Sequence, residues 1–181
     1  GYYTSSGEFA NELAVVKDLT LATEQYGIAT RKNDKAFMQK INEGLIGTFN
    51  NGKLNEIATF FGVTDSLAIT TSTTYSTTAT DNSWNSIVNS GNIVVGYTVF
   101  APIAYEDNAK NFSGDKFTGF DIELAREVVR FLNTTYSTSI TLQFQEINWD
   151  AKEALLANGT IDLIWNGLTI TEERQNNIFE S

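Results

Sequence analysis

From Asp34 onward, apolar residues recur every four positions: Phe37, Ile41, Leu45 and Phe49. At 3.6 residues per turn they share one face, so the spacing predicts an amphipathic helix. Asn51-Gly52 interrupts the stripe. Leu54, Ile57, Ala58 and Phe61 then form a shorter one ending at Gly62, a residue suited to a left-handed C-cap. Trp84, Ile87 and Val88 predict another short helix before a strand at Ile93 to Tyr97. Helical periodicity returns over Asp121 to Leu132 and Asp150 to Asn158, with a strand at Ile140 to Ile147 between them. That strand alternates imperfectly, which suits an internal or near-edge position. Ile161 to Trp165 is a near-continuous apolar run, the pattern of a strand buried on both faces. Nearer the start, Glu8 to Leu13 is helix-like and a strand is expected around Leu13 to Val16. Strands alternating with helices imply an α/β fold of three layers, a mostly parallel sheet flanked by helices.

Composition removes whole classes of chemistry. The 181 residues contain neither cysteine nor histidine. A disulfide framework, a thiolate metal site and the commonest general base are therefore excluded. The net charge of -10 argues against nucleic-acid partners, because nothing neutralises phosphates. It is spread along the chain, as a solvated surface requires. No run is long and apolar enough for a membrane span, and no signal peptide is recognisable. Neither a cofactor nor a metal is expected, and no residue is read as catalytic.

The chemistry concentrates between Gly159 and Arg174. The run Ile161 to Trp165 stops at Asn166-Gly167, where the chain must turn. Thr169 and Thr171 follow as hydroxyl donors and candidate caps, with Glu172 and Glu173 suited to a helix's first turn. Arg174 lies one turn further in. A strand end, a glycine, hydroxyls, a helix N-terminus and an arginine make a site for a small carboxylate.

This segment resembles the signature of the family 3 bacterial extracellular solute-binding proteins, the polar amino-acid receptors of ABC importers. The resemblance extends to Ile93 through Pro102, similar to that family's first strand and ligand loop, and to Phe117 through Ala125, similar to its first helix start. Asn148-Trp149-Asp150 with Leu155, Gly159 and Asp162 resembles its second helix and third strand. Glu24 through Ala29, followed by Arg31-Lys32, resembles the return strand from the second lobe, and the two helices after Asp34 resemble the final pair. The pieces stand in reversed order. Residues 1–25 correspond to a remnant of lobe two or its hinge, 26–62 to the C-terminal part of lobe one, and 84–181 to its N-terminal part. Residues 63–83, rich in Ser and Thr, read as a tether between them. As a coil this tether spans about 25 Å, and the radius of gyration of a domain this size is about 15 Å, so it can join two ends of one lobe. Most of lobe two is missing. A permuted, reduced receptor and a junction between tandem receptors both fit.

The resemblance implies a periplasmic-binding-protein-like lobe, an extracytoplasmic location (periplasmic or cell-surface) and no enzyme activity. Its implied partners are a polar amino acid, an ABC permease in the full-length protein and another chain supplying lobe two. Arg174 would hold the ligand α-carboxylate bidentately, helped by Thr169 through its hydroxyl and backbone N–H. Asn166 and Gly167 would offer a carbonyl to the ammonium and close backbone approach. Phe100 and Trp149 would form an aromatic wall. Tyr97 stands where some relatives carry an acidic residue, which blurs ligand identity. Each has a plainer reading: a solvated helix arginine, an N-cap, a strand-ending turn, core aromatics. Trp165 and Tyr105 read as structural. The alternatives in function are a cyclohexadienyl dehydratase-like enzyme on the same scaffold, for which Glu146 and Asp150 match no catalytic motif, and a sensor or interaction module.

Overall fold

The computed structural model describes residues 14–15, 20–21, 24–25, 28–64, 77–109 and 111–165. The helix-like stretch at Glu8 to Leu13, the middle of the tether and everything after Trp165 lie outside them. In chain order the elements are strands β1 (Ala14–Val15), β2 (Thr20–Leu21), β3 (Glu24–Gln25) and β4 (Ile28–Thr30). Helices α1 (Lys35–Asn50), α2 (Lys53–Phe61) and α3 (Ser83–Ser90) follow, then β5 (Asn92–Tyr97), β6 (Tyr105–Glu106) and β7 (Phe117–Thr118). Helix α4 (Phe120–Tyr136), β8 (Thr141–Glu146), a 3₁₀ turn (Trp149–Ala151), α5 (Lys152–Ala157) and β9 (Leu163–Trp165) complete the order.

The stripes read from spacing are the buried faces. Phe37, Ile41 and Leu45 on α1 and Leu54, Ile57, Ala58 and Phe61 on α2 are buried. Helix α2 ends at Gly62, whose φ of 73° is the left-handed conformation that L side chains resist. The start of α1 is capped from far along the chain. Asp81 Oδ2 accepts the Ala36 N–H and Ser83 Oγ accepts that of Phe37, each at 2.9 Å. Two of the orphan donors at that helix start are thus satisfied by the last residues of the stretch read as a tether.

The main sheet has the order β1-β4-β9-β5-β8. Strand β5 runs parallel to β8, from Asn92 opposite Thr141 to Tyr97 opposite Glu146, and parallel to β9. Strand β4 pairs antiparallel with β9 and with β1, so the α/β sheet flanked by helices is a mixed one, parallel across β8, β5 and β9. The reason is connectivity. A single helix, α4 or α5, makes each of the crossovers from β5 to β8 and from β8 to β9 that parallel pairing requires, whereas three helices separate β4 from β5, a connection long enough for either direction. Helices cover both faces. A large core packs α1, α2, α3 and α4 against Ile93, Val95, Leu163 and Trp165. A smaller cluster of Ala29, Ile147, Leu156, Ile161 and Ile164 places α5 on the opposite face.

One side chain joins the two halves of the sequence. Arg31 donates from Nε to Asp34 at 2.9 Å, from Nη1 to the carbonyls of Leu156 and Ile161 at 2.8 and 2.9 Å, and from Nη2 to Asp162 at 3.0 Å. The other Asp162 oxygen accepts the Val94 N–H at 2.9 Å. Among the described residues no helix is long and apolar enough to cross a membrane.

Candidate ligand-binding site

Strand β5 leads through α4 to β8 on one side, and β8 leads through α5 back to β9 on the other. The two crossovers pass on opposite faces, so the carboxyl ends of β5 and β9 open onto the crevice where sheets of this kind bind ligands. Residues Tyr97, Phe100 and Trp149 leave β5 and β8 at this end.

The loop after β5 is held tightly. Phe100 and Ala104 exchange N–H···O bonds at 2.8 Å, and Ile103 N–H donates to the Phe100 carbonyl at 2.7 Å. The first N–H groups of α4 grip the same loop, Phe120 donating to Pro102 at 2.9 Å and Asp121 to Ile103 at 3.0 Å. Gly119 permits this contact: its φ is +125°, and a Cβ there would lie 2.3 Å from the Ile103 carbonyl oxygen. Held this way, Val99 is 59% and Phe100 43% exposed. Among the described residues only Tyr136 is another large hydrophobic so exposed. Two neighbouring apolar side chains this exposed, at the binding end of a sheet and on a fixed loop, form a surface suited to being covered.

Tyr97 lies half-buried on the α4 side, its ring 4.9 Å from that of Phe117 and 6.4 Å from that of Phe144. Burial pushes its hydroxyl above the usual tyrosine range, and the charges of Glu146 and Glu106 add to the rise. Its carbonyl accepts the Ile147 N–H at 2.9 Å, which fixes the end of β8 against β5. Trp149 belongs to the other face. Asn148 Oδ1 accepts the Asp150 N–H at 3.0 Å and caps the 3₁₀ turn that carries it. Its partly buried ring packs on the Ile147–Leu156–Ile161 cluster, and its buried Nε1 has no hydrogen-bond partner among the described residues. Tyr97 and Trp149 thus flank the end of the sheet from opposite faces.

Asn166, Gly167, Thr169 and Arg174 lie outside the described residues. Strand β9 runs up to them as a buried strand, with Leu163, Ile164 and Trp165 all in the core. Trp165 is structural, as read, and so in part is Tyr105, which packs against the same core.

Beside Trp149 lies a charged pair that the sequence reading passed over. Lys152 and Glu153, only 3% and 7% exposed, open α5 with Nζ 3.2 Å from Oε1. Oε1 has no aligned hydrogen-bond donor among the described residues, so the contact is an ion pair without a directed bond. Lys152 Nζ also donates to the Trp149 carbonyl at 3.3 Å and stands 4.6 Å from the centroid of the Trp149 ring. The one hint in the sequence is that Lys152 precedes Leu156 by four positions and so shares its face, which does not by itself distinguish a buried lysine from an exposed one. No cluster of acidic, His or Cys side chains fit to hold a metal occurs among the described residues.

Residues 93–180, just under half of the chain, match the family model of the bacterial extracellular solute-binding proteins, family 3. Over that stretch the resemblance read from the motifs is borne out. Solved structures similar to the chain include a polar amino acid ABC uptake transporter substrate binding protein from Streptococcus thermophilus, 37% identical over 51% of this chain and 31% of that one, with a TM-score of 0.37. An ABC uptake transporter substrate binding protein from Streptococcus pneumoniae with bound histidine is 36% identical over 53% and 35%, with a TM-score of 0.36. Domain 1 of TmArgBP, in an arginine-bound form, is 32% identical over 51% and 64%, with a TM-score of 0.37. The chain spans about a third of the length of the first two. No curated protein matches it.

Proposed function

We propose that this chain is the amino-acid-binding lobe of an ABC-importer solute-binding protein, working outside the cytoplasm and by binding, without catalysis. The observation that carries the reading is the exposed Val99–Phe100 pair on a rigid loop at the carboxyl end of β5, inside the stretch that matches the family. In this reading Arg174 and Thr169 hold the ligand carboxylate, Asn166 and Gly167 meet its ammonium, and Phe100, Trp149 and Tyr97 flank its side chain. Residues 26–62 supply the closing strand and helices of the same lobe in permuted order. A second lobe, from the full-length protein or another chain, closes over the ligand by hinge motion, and a permease accepts the closed form.

A single lobe leaves the ligand open to water, where a carboxylate–guanidinium pair contributes only about 0–1 kcal/mol. The chain should therefore bind amino acids weakly, with Kd on the order of 1 mM or above. Calorimetric titration with each of the twenty amino acids checks this. A submicromolar response from the chain alone would show that it is already a complete site. An Arg174→Met variant that binds as well as the parent would remove Arg174 from the role given to it.

A further inference from the structure

We propose that Lys152, held by Glu153, is a positioning residue that sets the Trp149 ring for the ligand. The proposal rests on the reading of Trp149 as part of the ligand wall.

Lys152 is 3% exposed, so its ammonium has given up most of its hydration and must find its partners inside the protein. Lys152 finds the Glu153 carboxylate at 3.2 Å, the Trp149 carbonyl at 3.3 Å and the face of the Trp149 ring at 4.6 Å. The last distance is within the range over which a cation is attracted to an indole, an attraction that strengthens where water is excluded. Two of these three contacts are to one residue, so the ammonium constrains both the backbone and the ring of Trp149. Spacing favours this, because residues three apart at a helix start lie on one face.

Trp149 needs such a constraint. It sits in a single 3₁₀ turn just after β8. Its ring is only partly buried, and its indole N–H has no partner among the described residues to fix the ring's rotation. The apolar cluster of Ile147, Leu156 and Ile161 supports one side. The ammonium supplies the directional contact that apolar packing lacks. Glu153 keeps the ammonium in place, since a buried charge is retained only against a partner of opposite sign.

The chain has three tryptophans, Trp84, Trp149 and Trp165, so labelling with 5-fluorotryptophan gives three ¹⁹F resonances, assigned with Trp149→Phe. The variants are Lys152→Met, Lys152→Arg, and Lys152→Met paired with Glu153→Gln, which neutralises both members of the pair and keeps the test alive if the single change unfolds the chain. In the unliganded protein the Trp149 resonance should shift or broaden in the paired variant while those of Trp84 and Trp165 hold. Titration with L-arginine, followed at Trp149, should show affinity about fivefold weaker, the factor such a contact corresponds to. Lys152→Arg, which keeps the cation, should restore both readouts. An unmoved Trp149 resonance in a folded paired variant overturns the proposal, and so does a moved resonance with unchanged affinity. If the Trp149 resonance of the unsubstituted chain ignores L-arginine, L-histidine and the other amino acids at saturation, the ligand-wall reading itself fails, and the proposal with it.

Discussion

Asp81 shows how much one side chain carries in this protein. It accepts the Ala36 N–H at the start of α1 and bonds both the Ser83 N–H and hydroxyl at the start of α3. Burial pushes its carboxyl upward, but the bonds from Ser83 and Ala36 outweigh burial, and it is held below the usual aspartate range. A depressed folded value means stability that is present above the unfolded pKa of about 4 and lost as pH falls through the folded value. Asp34 works in the opposite sense. Burial raises its pKa more than Arg31 lowers it, so its contribution is present below the unfolded value and lost as pH rises through the folded one. Because the two oppose, the total acid dependence does not isolate either. Comparison with Asp81→Asn does: the variant keeps one acceptor oxygen of two and should lose about 1 kcal/mol at neutral pH, the usual worth of a hydrogen bond. Its urea-unfolding free energy should also fall less than the parent's between neutral pH and pH 3. An equal fall in both proteins would take Asp81 out of the acid response.

At the scale of elements, the closest packing is between α1 and α4. A Cβ on Gly44 would stand 2.6 Å from Val128 Cγ1, and one on Gly47 would stand 2.2 Å from the Phe131 ring. Alanine is the better helix former by about 1 kcal/mol, so the outcome depends on whether the neighbour can yield. Val128 is fully buried and has nowhere to go, and overpacking of this kind costs about 1–3 kcal/mol. Phe131 is only partly buried and can swing outward. Gly44→Ala should therefore lower stability by about 1 kcal/mol net, and Gly47→Ala should be closer to neutral. Thermal and urea unfolding of the two variants would check this, and the reverse ranking would mean that the helices separate more easily than their contact implies. The stripe at Phe37, Ile41 and Leu45 was legible in the sequence because a helix presents every third or fourth residue to one side. The second face of α1, where Glu43 is buried and bonded to Tyr136, was not, because its partner lies 93 positions away.

For the whole molecule, the question is what makes one lobe from two separated pieces of sequence. Arg31 is the clearest tie. It reaches from the end of β4 to the carbonyl of Leu156 in the last turn of α5, to that of Ile161, and to Asp162 just before β9. Replacing it with methionine would leave Asp162 with a part-buried carboxylate short of a partner and two carbonyls short of a donor. The expected loss is about 2–3 kcal/mol, read as a lower urea midpoint with an unchanged slope. A variant that unfolds at the parent's midpoint would mean that the sheet pairing of β4 with β9 suffices. Of the candidate site, the exposed loop at Phe100 and the turn at Trp149 stand at the strand ends where sequence spacing put them. The tie through Arg31 and the buried Lys152–Glu153 pair did not show themselves as such. Charged residues beside a turn or on a short helix look the same in sequence whether they face water or another segment.

What the sequence alone determined is whatever depends on near neighbours. This covers the helical stripes, the Gly62 stop, the strand runs, the absence of His and Cys chemistry and the motifs shared with the solute-binding proteins. Only the tertiary structure decided the antiparallel join of β4 to β9, the capping of α1 by Asp81 and Ser83, and the burial of Lys152 against Trp149. The division follows from range. Periodicity and capping propensity act over one or two turns and are written into consecutive residues. The free energy of a buried ion pair or a strand pairing depends on a partner that the chain brings close only when it folds.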